Sequence, residues 1–195
     1  MHSSSGGGMG MSFVGLSYIL LAGLGLLGLV ATRADVVHYC PYPVWCAVVV
    51  GYEPNDPTPQ SDRPVVKWIS QPAEAVLTSR FLDNPQGTGV AMMCTRDPSA
   101  STPLVTQLEY AWEQDEGKTY FDVSNVAGAP FVNEGFEMDV DDPEDPSLSL
   151  ASCRGASCGP GDTNCNDVYN KYNDDFQGMR TRSNLVNIKL TLCSG

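Results

Sequence analysis

Two carboxylates carry the sharpest chemistry in this 195-residue chain. Glu109 lies in the run Leu108-Glu109-Tyr110 and Asp122 in Tyr120-Phe121-Asp122-Val123, on either side of the turn-forming stretch Gln114-Asp115-Glu116-Gly117. In an antiparallel hairpin the numbers of facing residues sum to a constant. A two-residue turn at Asp115-Glu116 therefore sets Glu109 directly opposite Asp122 on one sheet face, whereas a three-residue loop with a bulge would separate them. Facing Cβ atoms lie about 4.5–5.5 Å apart. Two carboxyl groups that close repel, so one pKa rises, and an acid and a base with split pKa values are what glycoside hydrolysis needs. The plainer reading makes both residues ordinary solvent-facing strand positions, paired to Lys118 or Arg96.

Other chemistries find few residues to use. His38 is the sole histidine beyond His2, which removes most Ser-His and Cys-His hydrolase schemes and most zinc sites. Cys153, Cys158 and Cys165 lack paired CxxC spacing, so neither a metal centre nor a redox pair is expected, and no cofactor is implied. Asp139, Asp141, Asp142, Glu144 and Asp145 form an acidic group, yet an EF-hand counted from Asp139 would need Gly and Glu where Glu144 and Leu150 stand. A solvated, Pro-bounded loop is the expectation there. With 11 Lys+Arg against 23 Asp+Glu the net charge is -12, which argues against nucleic acid or anionic lipid as partner.

The elements that must position these residues follow an apolar leader. Residues 14–30 are uncharged and apolar, and Thr32-Arg33-Ala34 offers small residues for cleavage before Asp35. That divides the chain into a signal peptide, residues 1–34, and one domain, residues 35–195. A retained membrane anchor is the rival; no second apolar run follows. All 7 cysteines lie beyond the leader, so export makes disulfides the default. The odd number leaves one thiol free or joined to a second copy of the chain.

Residues 35–195 read as short strands separated by turn residues: 36–40, 44–52, 65–69, 74–82, 89–94, 108–113, 118–124 and 185–192. The last alternates most cleanly, with Val186, Ile188, Leu190 and Leu192 apolar against Asn187, Lys189 and Thr191. Residues 152–179 are rich in Gly, Asn and Asp and read as irregular, with one short helix at 167–172. Trp45, Trp68, Trp112, Tyr110, Tyr120 and Phe121 fall mostly on apolar faces and are assigned to the core, while Tyr42 and Tyr52, beside prolines at strand ends, are the exposed aromatics. The fold class is all-β, an antiparallel sandwich or flattened barrel.

Cys40-Pro41-Tyr42-Pro43-Val44-Trp45 resembles the first strand of thaumatin-like proteins. Leu108-Glu109-Tyr110 with Tyr120-Phe121-Asp122-Val123-Ser124 resembles their central hairpin, Phe136-Glu137-Met138 their short Pro-Met segment, and Cys153-Arg154-Gly155-Ala156-Ser157-Cys158 their CRGxxC stretch. The matches run in family order over about half the chain beyond the leader. The short length and few cysteines are closer to the small fungal secreted branch, the yeast-phase-specific proteins. The resemblance implies a Cys40–Cys193 bond tying first strand to last. Cys158 with Cys165, and Cys46 with Cys94, are further pairings, which leave Cys153 unpaired.

The resemblance also implies that Glu109 and Asp122 contribute to an acidic cleft for cell-wall β-glucan, with Tyr42, Tyr52 and Arg96 as further binding residues. The cleft departs from the family's pattern: Ala127 replaces one aspartate, and the family's arginine position falls near Cys94, with Arg96 close by. The expected function is a secreted fungal protein that binds cell-wall polysaccharide or a host extracellular protein. The alternatives are a weak endo-β-1,3-glucanase using Glu109 and Asp122, and a membrane-perturbing inhibitor.

Overall fold

The computed structural model describes residues 32–51, 57, 59, 65–80, 88–142, 155–174, 180–182 and 185–195. Among the described residues there are eleven strands: β1 (Arg33–His38), β2 (Val44–Val50), β3 (Ile69–Gln71), β4 (Leu77–Arg80), β5 (Val90–Thr95), β6 (Thr106–Glu113), β7 (Lys118–Ser124), β8 (Phe136–Asp141), β9 (Ala156–Cys158), β10 (Arg180–Arg182) and β11 (Asn187–Leu192). They form a five-stranded sheet in the order β4-β1-β11-β8-β9 and a six-stranded sheet in the order β10-β7-β6-β5-β2-β3. Among the described residues the two sheets are not closed into a barrel, so the molecule is a sandwich. The pairing is antiparallel except where β1 runs parallel to β11, from Ala34↔Ile188 to His38↔Leu192.

Period-two alternation builds the core. Ile188, Leu190 and Leu192 of β11 are buried, as are Phe136, Met138 and Val140 of the neighbouring β8, while Glu137 and Asp141 face out. The six-stranded sheet answers with Met92, Leu108, Tyr110, Phe121 and Val123. Polar contacts cross the layers: His38 Nε2 of β1 lies 2.9 Å from Gln71 O of β3, and the Tyr110 hydroxyl of β6 donates to Ser79 Oγ of β4 at 2.5 Å. Burial of a hydroxyl is costly without such a partner, so this bond also fixes β4 against β6.

Three disulfides close the chain. Cys40–Cys193 spans 153 residues, Cys46–Cys94 joins β2 to β5 at facing positions, and Cys158–Cys165 closes a short loop. Cys193 takes a left-handed backbone, φ 58°, and its N–H donates to Gly135 O at 2.8 Å. All three pairings agree with the sequence expectation; Cys153 lies outside the described residues.

The short helix expected at 167–172 is absent. Asp174 Oδ2 accepts from the backbone N–H groups of Asn170 and Lys171, and the Asn170 side chain donates to Cys165 O, so side chains satisfy the backbone groups that a helix would pair. The segment instead lies along β7 through a parallel bridge Ser124↔Tyr169, with Tyr169 N–H donating to Val123 O at 2.9 Å. Nor is the acidic group wholly a loop. Asp139 and Asp141 stand on β8, where Asp139 pairs with Lys189 at 3.1 Å and Asp141 accepts from Asn187, while Glu144 and Asp145 lie outside the described residues.

Candidate functional site

The β6–β7 hairpin sets the site. Gly117 N–H donates to Gln114 O at 3.3 Å and Gly117 takes φ 61°, which favours glycine, so Asp115 and Glu116 are the two central turn residues. The register that follows places Glu109 opposite Asp122 and Gln107 opposite Ser124. Their neighbours Leu108, Tyr110, Phe121 and Val123 point into the core, which turns this polar set to the outer face of the six-stranded sheet.

That face carries an open groove of about 580 Å³. Glu109 and Asp122 lie side by side in it, Gln107 and Ser124 continue the polar row, and Tyr120 and the exposed Tyr172 supply aromatic surface, whereas Tyr169 lines it from a buried position. Asp122 is buried, at 7% exposure, not solvent-facing. Burial raises the Glu109 pKa above the ordinary carboxylate value, and a hydrogen bond with Ser124 opposes that rise in part. Among the described residues no Lys, Arg or His lines the groove. Lys118 bonds Glu116 at 3.1 Å and the Arg96 guanidinium stacks 3.9 Å from the centre of the Tyr42 ring, so both cations are engaged elsewhere.

The other sequence-derived site residues separate from this pair. Tyr42 is half-buried against the core, its hydroxyl 3.6 Å from Cys193 Sγ. Desolvation first, then Glu134, pushes its phenol well above the usual range, against a smaller lowering by Arg96. Neither Tyr42 nor Arg96 lines the groove, and Tyr52 lies outside the described residues. Gln107 and Ser124 were legible by the same alternation that found Glu109 and Asp122. Tyr169 and Tyr172 had no such signal, because they enter from an irregular segment. Among the described residues no group of three or more His, Cys, Asp and Glu is placed to hold a metal.

Chemically, the two carboxylates rise from adjacent strands of one wall. Carboxylates placed so can accept hydrogen bonds from hydroxyls. Tyrosine faces beside them suit stacking on the apolar faces of sugar rings.

Comparison with known proteins matches residues 26–194 to the family described as Blastomyces yeast-phase-specific protein. The chain is 31% identical over 129 residues to the secreted thaumatin-like protein calA of Emericella nidulans, a stretch covering 64% of this chain and 66% of that one. Among solved structures, the protein elicitor MoHrip2 from Magnaporthe oryzae superposes with a TM-score of 0.58 at 18% identity, over 84% of this chain and 100% of the other. The thaumatin-like xylanase inhibitor TLXI gives 0.49 at 11% identity, over 82% and 98%. The molecule is an extracellular, disulfide-bonded protein of thaumatin-like fold, and the chain belongs to the Blastomyces yeast-phase-specific protein family.

Proposed function

We propose that the protein acts by binding and not by catalysis, and that its groove over Glu109 and Asp122 takes cell-wall polysaccharide of the β-glucan class. The observation that carries this reading is the facing carboxylate pair set in an open groove beside Tyr120 and the exposed Tyr172. Carboxylates that accept from sugar hydroxyls, next to rings that stack on sugar faces, make a site for a neutral polyol polymer. Calorimetric titration with laminarin oligosaccharides tests it: the wild type binds, and Glu109→Gln with Asp122→Asn weakens binding tenfold or more. Binding unaltered by the double substitution would refute it. Release of reducing ends from laminarin, abolished by Glu109→Gln, would establish the glucanase alternative instead.

A second reading, a host extracellular protein as partner, draws on the fold shared with a protein elicitor. Affinity capture of a plant or animal surface protein that competes with laminarin would support it.

A further inference from the structure

The first strand begins upstream of the cut that the end of the leader suggests. β1 starts at Arg33, and Ala34 is fully buried, while Thr32 is 5% exposed. Ala34 pairs on both sides, with Ile188 of β11 and Ser79 of β4, and Arg33 faces Arg80. The Arg33 N–H donates to Asn187 Oδ1 at 3.2 Å, and its guanidinium bonds Asp35 at 2.8 Å. Cleavage before Asp35 would remove two of the four rungs that hold β4, Arg33↔Arg80 and Ala34↔Ser79. It would also place an ammonium group on Asp35, a residue 7% exposed whose carboxylate already accepts from Thr78 at 2.7 Å.

We infer that export processing cuts the chain N-terminal to Thr32, so that Thr32, Arg33 and Ala34 remain in the folded protein and complete β1. The agent is an endopeptidase of the signal-peptidase class. It hydrolyses one peptide bond, water supplying the new carboxylate and amine termini. Ala31, the last residue before Thr32, supplies the small side chain beside the scissile bond, while Leu29 stands where the A-x-A pattern places its second small residue, so the strand pairing and not the leader pattern carries the assignment. The three retained residues bear on the groove as well. Ser79, held opposite Ala34, accepts the hydroxyl of Tyr110, whose chain position lies beside Glu109 on β6.

Intact-mass measurement and N-terminal sequencing of the protein secreted from the full chain decide the boundary. A first residue at or before Thr32, with the apolar run removed, is expected; a chain beginning at Arg33, Ala34 or Asp35, or one never cut, overturns the inference. Ala31→Leu puts a bulky residue beside the proposed bond and leaves Thr32-Arg33-Ala34 intact. Where the secreted protein begins at Thr32, the substitution is expected to block or shift processing, and an unchanged Thr32 terminus would count against us. Deleting Thr32–Ala34 so that the leader joins Asp35 directly gives a third reading, independent of cleavage chemistry. The shortened protein is expected to melt several degrees lower with β4 exposed to proteolysis; an equal Tm would show that β1 does not need these residues.

Discussion

Glu109 links the groove to pH. Its folded-state pKa lies above the unfolded value because burial disfavours the anion, so the folded state binds the proton more tightly than the unfolded state does. That contribution to stability is full at pH below the unfolded value and is lost as pH rises through the folded one. Glu109→Gln removes the titration. Its Tm is therefore expected to gain on the wild type as pH is raised from 4 to 7, and thermal melts across that range provide the check; a constant difference would mean that Glu109 ionises freely. Tyr172 makes the opposite kind of prediction. It is 86% exposed, so Tyr172→Ala should leave Tm unchanged. If its ring stacks on sugar at about 1 kcal/mol, the substitution weakens laminarin binding roughly fivefold.

At the scale of elements, the hairpin turn fixes which residues meet. Gly117 adopts a left-handed backbone that costs an L-residue about 1–2 kcal/mol. Gly117→Ala is expected to lower stability by that amount in denaturant titration, with no change in m-value if the β6–β7 register survives. The same hairpin shows what the sequence makes legible. Alternation along 106–113 and 118–124 states both the strands and the faces, and the turn residues supply the register. β8 was hidden because Phe136, Met138 and Val140 alternate with Glu137, Asp139 and Asp141, and the acids drew attention as a cluster instead of as one face of a strand. β9 and β10 are three residues each, too short for periodicity to speak. Tyr169 reaches the groove through a single bridge to Ser124, a long-range contact that no local pattern encodes.

For the whole molecule, the Cys40–Cys193 bond decides how much of the chain's freedom is removed before folding begins. Closing a loop of 153 residues restricts the unfolded state by about 5 kcal/mol in the chain-entropy treatment. Replacing both cysteines by alanine should cost about 4–5 kcal/mol, measured as a shift of the urea midpoint, whereas loss of Cys158–Cys165, which spans only 7 residues, costs less. The parallel register of β1 on β11 has a further consequence for biosynthesis. The first strand to leave the ribosome has as its neighbour nearly the last to be made, whereas β5, β6 and β7 meet in order as they emerge. The hairpin sheet can assemble during translocation, but the opposite layer must wait for chain termination. Until then, the nascent Cys40 thiol stays open to the oxidoreductases of the secretory lumen.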